Sequence, residues 1–148
     1  MSRISIPTVE QSVEASKPLL AAVKQQLGVV PNLMMTVAEF NGCNYCLSAH
    51  DYLGRNVAKL SDGEIDAARD GHSQNTRADA ALQFARRVVE HRGRVTDTDL
   101  ATLRGAGFDE ASVIEIVVTV ALNVLTNYVN NVAQTDIDFP RVSARIAA

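Results

Sequence analysis

The sequence predicts an all-α protein with a single domain that spans residues 1–148. Apolar residues recur at helical spacing in several segments, glycines and capping residues bound those segments, and the longest apolar segment lacks the alternation of a strand. The chain is 47% hydrophobic and 21% charged, with a formal net charge of -3. These values are typical of one globular domain, and a chain of this length buries roughly two thirds of its unfolded surface.

The first half of the chain contains three predicted helical segments. Helical spacing of apolar residues predicts a first helix over Ser12–Leu27. A short apolar helix or turn over residues 33–40 then leads to a hinge at Asn41–Gly42. The next helix is predicted over Cys43–Val57, and Gly54 weakens its end.

Three further helices are predicted between the cysteine helix and the last apolar segment. Residues 61–64 fit a capping box that opens a short, polar helix through Arg69. A longer helix is predicted over Arg77–His91, and Thr96 or Thr98 caps the short helix that follows. The inward-facing stripe of the longer helix is predicted to contain Ala81, Phe84, Ala85, Val88 and Val89.

The last major segment, from Asp109 to about Val132, is the most apolar. Residues 116–134 contain no formal charge, so length alone would permit a membrane span. Amides recur along it at Asn123, Asn127, Asn130 and Asn131. Unpaired amides are costly in lipid, which favours a helix buried in the core or in a subunit interface. We therefore expect no membrane span, and part of this helix is predicted to lie between subunits of a homo-oligomer.

Cys43 and Cys46 are the only cysteines, and His50 follows them at the spacing of one helical turn. On a helix these three side chains share one face. A helix that begins near Cys43 would also favour thiolate, because free backbone N–H groups at its start stabilise negative charge. In a reducing compartment such a pair is more often redox-active or metal-binding than structural.

Charge and the chain start restrict the partners and the location that we expect. The mildly acidic balance and the lack of a Lys/Arg cluster argue against nucleic-acid binding. The start, Met1–Pro7, has no basic stretch followed by an apolar run, so no secretory signal is expected. The sequence therefore predicts a cytoplasmic protein.

Three segments carry a family resemblance: residues 41–50 with their Cys-x-x-Cys-x-x-x-His run, Leu60–Ile65 and Leu125–Asn131. They resemble the alkylhydroperoxidase D-like branch of the carboxymuconolactone decarboxylase superfamily. Residues 27–34 and 136–140 are similar to members usually labelled peroxidase-related proteins. The resemblance covers most of the chain and implies a helical bundle that assembles into trimers or hexamers.

One departure from that family concerns the residues before the cysteines. The branch generally has a longer helical stretch there, which carries a relay glutamate about three turns before the first cysteine. In this chain Pro31 takes that position, and residues 33–36 run almost directly into residues 37–39, with a short link between Met35 and Val37. Part of the family's N-terminal helical hairpin is therefore predicted to be missing, and Glu39 matches a different family position.

The resemblance implies a thiol-dependent peroxidase that reduces hydrogen peroxide or organic hydroperoxides. Cys46 is assigned as the attacking thiol, with His50 as its base or hydrogen-bond partner. Cys43 then resolves the oxidised sulfur by forming the Cys43–Cys46 disulfide, which is expected to be exposed. An external dithiol, lipoyl or thioredoxin-like, would reduce it again. No cofactor and no metal are expected.

Other interpretations of the same residues remain open. The cysteines are alternatively two small buried hydrophobic residues, or part of a Cys-Cys-His zinc site, although a second ligand pair is missing and His72 and His91 are predicted to be exposed. A carboxymuconolactone decarboxylase-like enzyme is a second functional class, but its chemistry needs no cysteine pair. A third is a dithiol redox sensor with little turnover.

Overall fold

The computed structural model describes residues 31–145, and within them it contains six helices and no strand. The helices are α1 (Pro31–Phe40), α2 (Asn44–Asn56), α3 (Asp62–Arg69), α4 (Thr76–Glu90), α5 (Asp97–Gly105) and α6 (Glu110–Ala133). The all-α prediction is thus confirmed. The helix predicted over Ser12–Leu27 lies outside the described residues.

Side chains that cap the helices set several of these boundaries. Thr96 and Asp99 form a complete capping box at the start of α5, in which each side chain accepts the other residue's backbone N–H. Only one of the two hydrogen bonds of the capping box predicted at α3 is present. Ser61 Oγ accepts the Glu64 N–H at 3.2 Å, but the Glu64 carboxylate accepts from the Ser73 hydroxyl instead. The same carboxylate therefore ties α3 to the loop after it.

Helix α1 forms the centre of the core. All side chains of residues 33–39 are buried, and the helix packs against α2, α3, α4 and α6. A short helix that is covered on every side needs apolar residues around its whole circumference. The helix continues without a break through Met35–Val37. The missing hairpin stays a prediction, because the residues before Pro31 lie outside the described ones.

Helix α6 buries only one side. By length and composition α6 could cross a membrane, because an 18-residue window within it has a mean hydropathy of 1.6. Its asparagines are nevertheless paired inside the protein. Asn123 Nδ2 donates to the Met34 carbonyl at 2.8 Å, and the fully buried Asn127 donates to Asn123 Oδ1 at 3.1 Å. These bonds favour packing against the core, as the sequence interpretation expected.

Residues 135–145, here called the C-terminal arm, return from α6 and cover the outer side of α2. The Val142 N–H donates to Ser48 Oγ at 2.9 Å, and Ser48 is itself fully buried. The Phe139 ring packs against Tyr45 and Tyr52, at centroid distances of 5.9 and 5.7 Å. The arm therefore holds the helix that begins at the cysteines, and both tyrosines pack against it.

Candidate active site

The cysteine pair lies at the start of α2. Cys43 is the N-cap residue, in extended conformation at φ -86° and ψ 93°, and its Sγ accepts the Cys46 N–H at 3.3 Å. Serine or asparagine commonly plays this capping role. The two Cα atoms are 5.3 Å apart and the two sulfurs are joined as a disulfide. The pairing that the family resemblance implied is present in the structure.

Both cysteines are buried, so the expectation of an exposed disulfide was wrong. Cys43 is 0% exposed and Cys46 is 4% exposed. Both belong to the hydrophobic core cluster, together with Leu33 and Val37 of α1 and Leu47 of α2. The spacing of residues along α2 predicted which of them share a face. Burial of that face depends on packing against α1, the preceding helix, and against α6, which lies far away in the sequence.

Cys46 has a hydrogen-bond donor on α6. Asn130 Nδ2 lies 3.4 Å from Cys46 Sγ, and Asn130 Oδ1 accepts the Thr135 hydroxyl at 2.8 Å. Sequence reasoning missed this role. Asn130 stood out only as one of several amides at repeated helical positions, and that pattern was interpreted as core or interface pairing.

A cleft of about 460 Å³ opens beside the cysteines. The start of α2, the end of α6 and the C-terminal arm form its walls. Its lining consists of Gly42, Asn44, Tyr45, Asn130, Asn131, Gln134, Thr135, Asp136, Ile137 and Arg141. Neither cysteine lines the cleft, but Asn130 both lines it and hydrogen-bonds to Cys46, so this amide lies between the cleft and that sulfur.

His50 is the third predicted site residue, and it is 4% exposed. Burial lowers the pKa of His50 to about 4, and a hydrogen bond with the Asn123 side chain opposes the shift. Its Nδ1 has no hydrogen-bond partner within residues 31–145. The imidazole is therefore neutral at pH 7, and this nitrogen makes no hydrogen bond to Cys46 in the disulfide state.

The amides near His50 form a connected chain. Asn41 Nδ2 donates to Asn127 Oδ1 at 2.9 Å, and Asn127 in turn donates to Asn123. Asn123 hydrogen-bonds to the imidazole and also donates to a backbone carbonyl of α1. These bonds fix the Asn123 amide, and through it the position of the His50 ring.

No protein-family model matches the sequence, and no curated protein matches it. Among solved structures, a protein of unknown function from Agrobacterium tumefaciens, proposed to be an antioxidant defence protein AhpD, is 20% identical. The alignment covers 95% of this chain and 100% of the Agrobacterium protein, at a TM-score of 0.71. A second similar structure is an uncharacterized peroxidase-related protein from Ralstonia eutropha JMP134, described as an alkylhydroperoxidase AhpD core. It is 19% identical, the alignment covers 93% of this chain and 92% of that protein, and the TM-score is 0.68.

The chain has the alkylhydroperoxidase D-like fold. An uncharacterized peroxidase-related protein from Silicibacter sp. TM1040 is also similar, with 18% identity over 86% of this chain and 71% of its own, at a TM-score of 0.64. The predicted resemblance is thus confirmed at the level of the fold. At 20% identity or less, the likeness carries no activity over to this chain.

In this chain the Glu39 carboxylate forms an ion pair. It is 2% exposed, and its Oε2 accepts from Arg69 Nε at 2.7 Å. Its other carboxylate oxygen accepts the Arg145 backbone N–H. The carboxylate thus joins α1 to α3 and to the C-terminal arm. These contacts give it a structural role and do not favour it as a replacement for the family's relay glutamate.

The remaining histidines lie away from the cysteines. His72 and His91 are exposed, as predicted, and His72 Nδ1 lies 3.1 Å from Asp79 Oδ1. Across the part of the chain that the structure describes, no group of three or more His, Cys, Asp or Glu side chains could hold a metal ion.

Proposed function

We propose that this protein is a thiol-dependent peroxidase that reduces hydrogen peroxide or organic hydroperoxides. The observation that carries the proposal is the Cys43–Cys46 pair at the start of α2, with Cys46 Sγ hydrogen-bonded by Asn130 beside a cleft. A sulfur at a helix start with an amide donor suits a reactive thiolate. The shared fold with proteins named as peroxidase-related supports the same chemistry.

The reaction needs two steps on the protein. The Cys46 thiolate attacks one oxygen of the hydroperoxide, the O–O bond breaks, and with one proton the products are Cys46 sulfenic acid and an alcohol. The Cys43 thiol then attacks the Cys46 sulfur, which releases water and forms the disulfide. The Cα separation of 5.3 Å allows this second step without backbone movement.

His50 is proposed as the proton acceptor for Cys46. Its imidazole is neutral at pH 7, since burial holds the pKa near 4, and Nδ1 has no partner within residues 31–145. This pKa belongs to the disulfide state, in which Cys46 carries no charge. After reduction, a thiolate one turn away would stabilise the imidazolium and raise that pKa.

An external dithiol, lipoyl or thioredoxin-like, is proposed to reduce the disulfide in the cytoplasm. The two sulfurs differ in their surroundings, because Cys43 is 0% exposed whereas Cys46 is 4% exposed and hydrogen-bonds to Asn130, which lines the cleft. The reductant thiolate would therefore attack Cys46 and displace Cys43 as the leaving thiolate.

Steady-state turnover tests the proposal. Reduced protein with dithiothreitol should consume cumene hydroperoxide or hydrogen peroxide, and Cys46→Ser should abolish this turnover. Without added dithiothreitol, Cys43→Ser should reduce one equivalent of peroxide and stop at the Cys46 sulfenic acid. The exposed His91→Gln variant serves as a control for general effects. Full activity of Cys46→Ser would remove the assignment.

Burial of the disulfide favours one alternative, a dithiol redox sensor. A pair that is 0% and 4% exposed resists reduction by a bulky partner, so oxidation could outlast a single encounter with peroxide. Thiol titration before and after peroxide, combined with steady-state rates, separates the two functions. Rapid oxidation without recycling would identify the sensor.

A homo-oligomer, trimeric or hexameric, is proposed as the functional assembly. Residues 31–145 leave a large apolar surface of α6 uncovered on the side away from the core. This surface consists of Ile114, Val117, Val118, Leu125, Tyr128, Val129 and Val132, each at least 36% exposed. Apolar surfaces of this kind commonly mark protein interfaces.

A further inference from the structure

We propose that Asn130 is the hydrogen-bond donor that stabilises the Cys46 thiolate in this chain. The inference rests on the proposed function only in taking Cys46 as the attacking thiol. Asn130 Nδ2 lies 3.4 Å from Cys46 Sγ, although the two residues are 84 positions apart in sequence. A hydrogen bond to an ionised acceptor is stronger than one to a neutral acceptor. The amide therefore favours the thiolate over the thiol.

Thr135 fixes the orientation of this amide. Its hydroxyl donates to Asn130 Oδ1 at 2.8 Å, so the carbonyl side of the amide is occupied and the NH₂ side faces the sulfur. The Thr135 backbone N–H also donates to the Asn130 carbonyl at 3.2 Å. An amide turned the other way would place an oxygen lone pair against the sulfur and disfavour ionisation.

The end of α6 places Thr135 in this position. Gln134 ends the helix in the left-handed conformation, at φ 50° and ψ 52°. This turn directs the chain back along the last helical turn, so that Thr135 faces Asn130 instead of continuing away from it. Local backbone geometry thus orients a side chain that contacts the reacting atom.

Asn130 also lines the cleft, so this amide separates the cleft from the Cys46 sulfur, which is itself not among the lining residues. Several ionisable groups lie on the elements packed around Cys46. They are His50 on α2, Glu39 on α1 with its partner Arg69, and Asp136 and Arg141 of the C-terminal arm at the cleft. None of them changes in the variants below, so the comparison isolates the amide.

The experiment measures the pKa of Cys46 directly. In a Cys43→Ser background, serine keeps a capping oxygen for the Cys46 N–H and leaves one thiol. The rate of alkylation by iodoacetamide is followed from pH 4 to pH 10 in reduced protein, with circular dichroism as the check of folding. Asn130→Ala should raise the pKa of Cys46 by about one unit, and the thiolate fraction should fall by roughly tenfold at pH values well below that pKa.

A second pair of variants tests the orientation of the amide. Thr135→Val should shift the pKa of Cys46 in the same direction by less, whereas Thr135→Ser keeps the hydroxyl and should restore the parent value. Controls are Asn56→Ala on the exposed end of α2 and Thr102→Val on α5, whose hydroxyl bonds only within its own helix. Both controls should leave the Cys46 pKa unchanged.

An unchanged Cys46 pKa in folded Asn130→Ala would overturn the proposal. A lower melting temperature without a pKa shift would do the same, since it would indicate a purely structural role. If Asn130→Ala does not fold, the Cys46 pKa values of the Thr135→Val and Thr135→Ser variants test the proposal instead. Alkylation needs no peroxide turnover, so a pKa shift in a protein without peroxidase activity would refute only the proposed function.

Discussion

Cys46 combines burial with two features that favour its ionised form. Removal from solvent disfavours a thiolate, whereas the start of α2 and the Asn130 amide favour it. His50, one turn further on, is also removed from solvent, and its charged form is disfavoured by the same burial. Reactivity at this site therefore depends on a few polar contacts within an otherwise apolar environment.

Stability of the oxidised protein should depend on pH through His50. Its pKa is about 4 in the folded state, below the ordinary value of 6.5. Between these values the unfolded chain binds a proton that the folded chain does not. The free energy of unfolding should therefore fall by about 3 kcal/mol as the pH drops from about 6.5 to about 4.

Urea unfolding at several pH values, with the disulfide intact, measures this effect. His50→Gln keeps a polar group for Asn123 and should show a flatter dependence over the same window. His91→Gln, at an exposed position, should retain the parent slope. Equal slopes for the parent and the His50 variant would contradict the assigned pKa.

Sequence reasoning at this scale identified the residues with intrinsic chemistry. Cys43, Cys46 and His50 are recognisable because their types and spacing are unusual in one helix. The role of Asn130 could not be read in the same way. It depends on a contact across 84 positions and on the conformation of Gln134, and neither is encoded in a local pattern.

At the scale of elements, α2 contributes the cysteines and His50, and it is held from both sides. Helix α1 covers its inner face, and the C-terminal arm covers Asn44 and Ser48 on the outside. The tail after α6 has no helical periodicity from which its position could be predicted. Its true position depends on pairs such as the Val142 N–H with Ser48 Oγ, which sequence periodicity does not reveal.

Gly54 near the end of α2 is expected to limit the stability of that helix. A Cβ built there meets Leu60 Cδ1 at 3.5 Å and Met35 Cε at 3.6 Å, which are ordinary van der Waals distances. Gly54→Ala should therefore raise the free energy of unfolding by roughly 0.5–1 kcal/mol, because alanine restricts the unfolded chain and favours helix.

Urea denaturation at neutral pH checks the sign of this effect. The matched control is Gly71→Ala, at φ +80° and with Arg86 Cδ only 3.0 Å from the added Cβ. That variant should be destabilised, because an L side chain is strained in this conformation. A loss of stability in Gly54→Ala would show that the surrounding side chains cannot accept the methyl group.

For the whole molecule, the uncovered surface of α6 is the main unexplained feature of the single chain. The sequence predicted that this helix was too apolar for the remaining helices to cover. The structure agrees to the extent that Val118, Leu125 and Val129 are between 44% and 48% exposed. Which surface of a second copy would cover them cannot be predicted from periodicity, because an interface depends on the shape of both surfaces.

Sedimentation velocity at micromolar concentration tests this prediction of a homo-oligomer. The parent protein should sediment as an assembly well above 16.0 kDa, and Val118→Asp with Val129→Asp should shift it to monomer. Val57→Asp introduces the same charge at an apolar residue that is 61% exposed but lies outside α6. It should leave the assembly intact. A stable parent monomer would refute the prediction.

The redox activity of the Cys43–Cys46 pair is the central claim, and stoichiometric thiol titration tests it most directly. Reduced, folded protein should lose both thiols on addition of one equivalent of hydrogen peroxide, faster than free cysteine at the same pH. Mass spectrometry should then identify the Cys43–Cys46 disulfide, and Cys46→Ser should not react at that rate. Thiols that persist in the folded protein, or that react only after unfolding, would contradict the claim.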